Sequence, residues 1–425
     1  MANLPEKSPR LGKWVFQLGV VKHQQGKHDE AGRQYELALD MARSRRDRAL
    51  LAMCLCSLGT LAREHSDYQR AARLVRRARR VSWRHRGGIL RAGIRLELGR
   101  IAYGRERYRE ASLRLRRMRK TFERAGDRAG LLSVLQDLAA MAGDRGRYEE
   151  AARHQQRALE ISEQIGDKAG ISISYRDLGN LAYVRDDHDE AIRCYHRALD
   201  IDEQLGNQAG IAGNSWQLGM VAQSLGDYEE AARQFERARG IAERMGDEAG
   251  MFNVLRGYGL LAYRRGDSEE AGEYFSRALA NAERRNDRQG VAVMYDYLGL
   301  TAHLRGNYAE AMRLHQRSLK FGKRLGIPPE ASRYTHLGVL SAQEGRPPGE
   351  VIGWHVKALK IRLVKRLPGT EYDLRRLAAC QVDLGEEKFG RLLAKAAGKP
   401  QLAREIKSLI DTIGDAGQEA TADSS

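Results

Sequence analysis

The sequence predicts an all-α protein of the α-solenoid type, and three observations carry that reading. A glycine returns at forty-residue spacing, at Gly19, Gly59, Gly99, Gly179, Gly219, Gly259 and Gly299. An alanine twelve places later keeps the same step, at Ala31, Ala71, Ala111, Ala151, Ala191, Ala231, Ala271 and Ala311. Around these markers apolar residues fall close to the i, i+3, i+4, i+7 spacing of a buried helical face, as in Ile171, Tyr175, Leu178 and Ala182, then Ala191, Cys194, Tyr195 and Ala198. A fixed period of this length marks units that cannot bury their own apolar face and stack so that neighbours do it for them. The 425 residues are therefore expected to form one array rather than two or three globular domains.

Each unit reads as two helices. After an N-terminal tail (1–10), the first helix begins near Leu11 and the array runs over 11–367. Glycine closes one helix and acidic residues favour the next N-terminus in turns such as Gly226-Asp227-Tyr228-Glu229-Glu230. Second helices stop at Gly126, Gly166, Gly206 or Gly246, with Asp or Asn following as the next cap. The recurrent glycine inside the first helix costs about 1 kcal/mol relative to Ala. Its spacing with Ala222 and Ala231 predicts that it lets two helix backbones approach closely.

The register gives nine helix-turn-helix units. The fourth carries Ala139 where glycine is expected. The ninth is irregular, opened by Pro328-Pro329, with Gly338 one place early and Arg346-Pro347-Pro348-Gly349 as its turn. Beyond it, 368–413 reads as C-terminal capping helices, including Leu374–Leu384 and Gln401–Ile413, which a repeat array needs as a polar end. The small polar stretch 414–425 is expected to be a disordered tail.

Composition narrows the class. No run of eighteen apolar residues is present to span a membrane, and the first residues lack the apolar core of a secretory signal. Cys54, Cys56, Cys194 and Cys380 have neither disulfide-framework nor metal spacing, and read as small packing residues. The expected compartment is the cytoplasm. No phosphate-binding loop, dinucleotide fingerprint, nucleophile elbow or His-Glu-x-x-His motif occurs, so no cofactor, no metal and no catalytic residues are assigned. His188, His196 and His315 are read as lying on outer faces or in turns.

The repeated residues support a resemblance. Leu218-Gly219 with Ala222, then Gly226-Asp227-Tyr228-Glu229-Glu230-Ala231, and Ala198-Leu199, Ala158-Leu159 and Ala278-Leu279 in second helices, resemble the tetratricopeptide repeat. The family's usual unit is shorter and ends in proline. Here no proline lies between Leu11 and Ile327, and Gly-Asp-x-Ala-Gly connects the units. The chain is similar to the long-repeat branch found in kinesin light chains, rapsyn-like adaptors and the sensor halves of bacterial regulators. The resemblance implies a right-handed superhelix whose first helices line a concave groove for a protein or peptide partner. Helical arrays of the HEAT or armadillo kind lack these signatures.

Carried over by register, the groove positions are Arg176, Asn180 and Tyr183, then Trp216, Met220 and Gln223, then Asn253, Arg256 and Tyr263, then Asp296 and His303. Trp216 is the leading anchor, because Trp and Arg most often carry binding energy. Arg176 and Asn180 match two places of the family's carboxylate clamp, but Gln217, Asn253 and Gly257 do not complete it. Asp296 and His303, about two helical turns apart, are the one acid–base pairing the groove suggests, and a broad groove seldom closes over such a pair.

Charge is concentrated. Residues 1–40 carry a net +1, 41–120 a net +18, and 121–425 a net −2, so the whole-chain +17 belongs to units two and three. Arg73, Arg76, Arg77, Arg80 and Arg84 form one stripe, and Arg116, Arg117, Arg119 and Lys120 repeat it a period later. The expected row is either a solvated face or a patch for an anionic partner, an acidic protein segment or nucleic acid. Three functions therefore stand from sequence: a non-enzymatic scaffold holding a partner peptide, a nucleic-acid-associated protein gripping phosphates, or the peptide- or ligand-sensing part of a regulator. Sequence leaves the oligomeric state open.

Overall fold

The computed structural model describes residues 11–65, 67–84, 88–325, 331–365 and 369–422. Every element assigned among them is helical. The expected N-terminal tail, the Pro328-Pro329 opening and Pro368 lie outside the described residues.

Two compact units divide the chain, Met1–Leu181 and Ala182–Ser425. The first holds α1 (Leu11–Gln24), α2 (His28–Ser44), α3 (Arg48–Glu64), α4 (Tyr68–Val81), α5 (Gly88–Gly104), α6 (Tyr108–Ala125), α7 (Arg128–Gly143) and α8 (Tyr148–Ile165). A 3-10 turn, Ser82–Arg84, follows α4, and α9 (Lys168–Val184) crosses the division. The second unit continues with α10 (His188–Leu205), α11 (Gln208–Leu225), α12 (Tyr228–Met245), α13 (Glu248–Arg265), α14 (Ser268–Arg284), α15 (Arg288–Leu304) and α16 (Tyr308–Leu325). It ends in α17 (Ala331–Gln343), α18 (Pro348–Lys365), α19 (Thr370–Leu384), α20 (Glu386–Ala397) and α21 (Pro400–Ala422). In each unit, first and second helices pack as hairpins, α1 on α2 and α3 on α4, α11 on α12 and α13 on α14.

The helix ends follow from sequence. Asp127 Oδ1 accepts from Gly130 N at 2.9 Å, and Asp227 and Asp287 cap α12 and α15 in the same way. Gly126, Gly166, Gly206 and Gly246 close second helices in the left-handed conformation, where a Cβ would be strained. At the same place Arg46 and Asn286 hold positive φ without being glycine, and Glu106 and Asp186 do so in the turn inside a unit, where Gly226, Gly266 and Gly306 stand in other repeats.

The recurrent glycine of the first helices has a more specific role than close backbone approach. It opens a slot for one large side chain of its own second helix. A methyl at Gly219 would lie 2.6 Å from Phe235 Cε1 and 3.2 Å from the Ala231 carbonyl oxygen, and one at Gly259 would lie 2.5 Å from Phe275 Cε1. Tyr35, Val75 and Leu115 fill the slots at Gly19, Gly59 and Gly99. Backbone approach is thus part of the reason, and side-chain packing in the slot is the larger part.

The expected cap has its own core: Leu374 and Leu377 of α19, Phe389 and Leu393 of α20, and Ile406 and Ile410 of α21 pack with Ile352, Val356 and Leu359 of α18. The last helix, α21, spans Pro400–Ala422, and the side chains from Ile413 on lie outside the described residues.

Candidate binding site

The predicted groove residues fall on the first helices, and neighbouring first helices are joined by lateral side-chain bonds. In the second unit the Trp216 indole Nε1 donates to the Asn253 carbonyl at 2.8 Å, linking α11 to α13. The Arg256 guanidinium lies over the Trp216 ring at 4.9 Å and within 6.0 Å of the Phe252 ring. Met220 packs beside Trp216 on the same apolar cluster. Tyr183 and Ser224 hydroxyls meet at 2.8 Å, joining the end of α9 to α11.

These contacts leave polar capacity unused. Burial lowers the Arg256 pKa, and its Nε is shielded with no hydrogen-bond partner among the described residues. The Gln223 side chain is buried, and its Oε1 is likewise unpaired among the described residues. Tyr263 is half-buried on α13, with its phenol pushed up by burial. Arg176 and Asn180 are half-buried on the part of α9 that belongs to the first unit. Gly257 sits against Phe235, where a methyl would be 2.9 Å from the ring, so it serves packing rather than a clamp.

Asp296 and His303 do not form the pairing that sequence spacing suggested. Asp296 Oδ1 is bound to His315 Nδ1 at 2.6 Å, and Arg333 Nε donates to Asp296 Oδ2 at 3.0 Å. Burial pushes the Asp296 carboxyl up, but the bond and charge of His315, with Arg333, hold it below the usual range. His303 instead stands edge-on to Tyr308, with ring centroids 5.6 Å apart, and burial lowers its pKa. His315 is fully buried, not on an outer face: the Gly299 slot draws it inward, and Asp296 satisfies its Nδ1. A methyl at Gly299 would lie 2.9 Å from His315 Nε2, so that nitrogen faces packed helix rather than solvent.

One period after His315, His355 fills the next slot, and its partner comes from the other side in sequence: Asp373 of α19, which is fully buried. His355 Nδ1 lies 2.7 Å from Asp373 Oδ1, Thr335 Oγ1 donates to the same oxygen at 2.9 Å, and Arg362 pairs with the other oxygen. Both Asp–His pairs are structural braces. Their outer imidazole nitrogens point into glycine slots, which denies a substrate the approach that acid–base catalysis needs. Sequence reading missed them because a histidine in a slot has the composition of a surface residue.

The basic stripe is exposed. Arg73, Arg76, Arg77 and Arg80 of α4, and Arg117 and Lys120 of α6, are exposed and form no ion pair with described residues. Arg116 meets Glu150 at 3.4 Å and Arg119 meets Glu123 at 3.4 Å. The side chain of Arg84 lies outside the described residues. Trp83, which follows the stripe, is 75% exposed, an aromatic that the sequence reading did not single out. Burial pushes the thiols of Cys54, Cys56 and Cys194 up to about 12, in keeping with packing roles.

Comparison with known proteins adds the family. No curated protein matches the chain. Among solved structures, aspartyl phosphate phosphatase F from Bacillus subtilis superposes with a TM-score of 0.55 at 14% identity, covering 75% of this chain and 85% of that one. A Rap protein complexed with Competence and Sporulation Factor gives 0.54 at 13% identity, covering 87% of this chain and 99% of that one. The apo quorum sensor NprR from B. thuringiensis gives 0.51 at 12%, covering 86% and 99%. At such identities these likenesses speak for the helical-repeat fold alone. A tetratricopeptide-repeat model matches residues 13–82, 170–244 and 250–324, more than half of the sequence, and a second matches 131–165. The chain therefore belongs to the tetratricopeptide-repeat family.

Proposed function

We propose that the protein is a non-catalytic interaction module that binds an extended or helical peptide segment of a partner protein on the first-helix face of its second compact unit. Trp216 and Arg256 are its anchor pair. The observation that carries this is the guanidinium held 4.9 Å over the half-buried indole with its Nε unpaired among the described residues. A pair already stacked loses little freedom on binding, and guanidinium donors suit a peptide carbonyl or carboxylate. Family membership supports the reading, as does the shared fold with a Rap protein that holds Competence and Sporulation Factor. A sensor in which the peptide shifts the array between conformations is the regulatory form of the same reading, and the cytoplasm is its expected setting.

Affinity purification from the source-cell extract, with and without nuclease, identifies the partner. Its affinity is then compared between wild type and the Trp216→Ala, Arg256→Ala double variant. Each truncation is expected to cost about 2 kcal/mol, roughly thirtyfold in affinity. Unchanged affinity in the double variant places the site elsewhere.

The exposed cations of α4 and α6, with the exposed Trp83 that follows α4, favour a second reading, in which an acidic protein segment is held there. Reversing Arg76, Arg77, Arg116 and Arg117 to Glu is expected to abolish salt-sensitive capture. A loss of capture after nuclease identifies nucleic acid as the anionic partner instead.

A further inference from the structure

The ends of the first helices carry a repeated brace, and one copy of it has been built from different chemistry. In unit three, Tyr103 at the end of α5 stands beside Tyr108 at the start of α6, and its hydroxyl meets Asp144 at the end of α7. In unit five the same positions are Tyr183, His188 and Ser224. In unit one they are His23, His28 and Glu64. A brace needs one donor and one acceptor, which a tyrosine and a carboxylate supply. Two imidazoles and a carboxylate supply three metal ligands.

Their geometry is that of a nearly closed ligand set. One ligand atom from each of the three lies within 4.8 Å of the others. His23 Nε2 is 2.8 Å from Glu64 Oε2, and His28 Nδ1 is 3.5 Å from the same oxygen. Ligand atoms around a tetrahedral zinc ion stand about 3.4 Å apart, as bond lengths near 2.1 Å require. Small side-chain rotations at two half-exposed imidazoles convert one arrangement into the other. His28 Nδ1 is shielded from solvent and has no hydrogen-bond partner among the described residues.

The surroundings orient the set. His23 Nδ1 lies 3.3 Å from the Tyr35 hydroxyl, so once a metal replaces the Nε2 proton that now faces Glu64, Tyr35 is placed to accept from Nδ1–H. Arg63 Nη2 lies 3.5 Å from Glu64 Oε1 and leaves Oε2 to the histidines. His65 brings a further imidazole, its ring centroid 5.6 Å from that of His28.

We propose that His23, His28 and Glu64 form a site for a divalent transition-metal ion of the zinc type. Bound there, the ion staples the α1–α2 turn to the end of α3 and so ties the first repeat to the second. His₂-carboxylate sets suit zinc, with solvent or His65 as a further ligand.

The test measures Zn²⁺ binding to the full-length chain by titration calorimetry, and Co²⁺ binding by its visible absorption. Wild type is expected to take one ion and show the intense absorption of low-coordinate Co²⁺. The His23→Tyr, His28→Tyr variant copies the brace of unit three and keeps its packing while removing both nitrogen ligands. It is expected to lose the absorption and to bind Zn²⁺ at least tenfold more weakly, since loss even of outer-shell support costs that much. Glu64→Gln, which keeps the shape and removes the charge, is expected to weaken binding similarly. Equal binding by wild type and the two-tyrosine variant, or no stoichiometric binding by either, overturns the proposal.

Discussion

The central repeats of the second unit and its last repeats fill the same slot with opposite chemistry. In α11–α14 the glycine of the first helix receives a phenylalanine, Phe235 or Phe275, with both rings fully buried. In α15–α18 the same slot, at Gly299 and Gly338, receives His315 or His355. A phenylalanine asks only for space. A buried imidazole asks for a partner, and Asp296 and Asp373 provide it, each bringing an arginine. The period therefore fixes a cavity and leaves its occupant free, and the polar occupant exposes the C-terminal repeats to disruptions that the central ones do not feel.

Breaking the polar version should have the largest effect. Asp373→Ala removes the acceptor shared by His355, Thr335 and Arg362 and leaves a buried cation without its carboxylate. The expected loss is about 3–5 kcal/mol in urea unfolding. Hydrogen exchange should show the loss in α18–α21 while α11–α14 stay protected. Uniform loss across both regions would mean that the last repeats are not a separate cooperative element.

Crowding the apolar version comes next. Gly259→Ala places a methyl 2.5 Å from Phe275 Cε1, whereas Gly99→Ala places one 3.0 Å from Leu115 Cδ2. Overpacking costs roughly 1–3 kcal/mol. The Gly259 variant should sit at the upper end of that range and the Gly99 variant near the lower, measured by denaturant midpoint. Equal effects would show that the slots are equally deformable.

Acid should separate the two regions without any mutation. His336 lies against His315, ring centroids 5.1 Å apart. Burial first, then the charge of His315, lowers its pKa from 6.5 to about 4, with Asp296, His303 and Arg362 also facing it. The unfolded chain therefore binds the proton first. Its stabilising contribution is complete above pH 6.5 and is lost as pH falls towards 4, a change on the order of 1–3 kcal/mol. The depressed Asp296 carboxyl adds a loss at still lower pH. Thermal midpoints between pH 7 and 4.5 should fall less for His336→Phe than for wild type, and parallel curves would remove His336 from the account.

What could be read beforehand divides along the same line. The helices, their turns and the nine-unit register were legible because glycine, alanine and aspartate recur where backbone geometry demands them. Trp216 and Arg256 were legible as first-helix residues because the register carries direction. Their mutual stacking was not, since it joins residues forty apart on two helices. Asp296 was misread for the same reason: its partners, His315 and Arg333, lie on α16 and α17 rather than one turn along its own helix. His23, His28 and Glu64 converge from three helices, which no motif within one stretch could announce.

The smallest expected effect concerns the turns, where rule and exception can be exchanged one residue at a time. Gly246 closes α12 at φ 62°, and Asn286 holds the equivalent position after α14 at φ 53°, while Arg46 holds it after α2 at φ 54°. A left-handed backbone costs a side chain about 1 kcal/mol, less for Asn, whose short amide tolerates the region. Glycine also loses more freedom on folding, which offsets part of the gain. Arg46→Gly should therefore stabilise by up to about 1 kcal/mol and Asn286→Gly by a few tenths at most, read as denaturant midpoints at constant m-value. A gain at Asn286 as large as that at Arg46 would show that the turn's conformation alone sets the cost and that side-chain chemistry contributes nothing there.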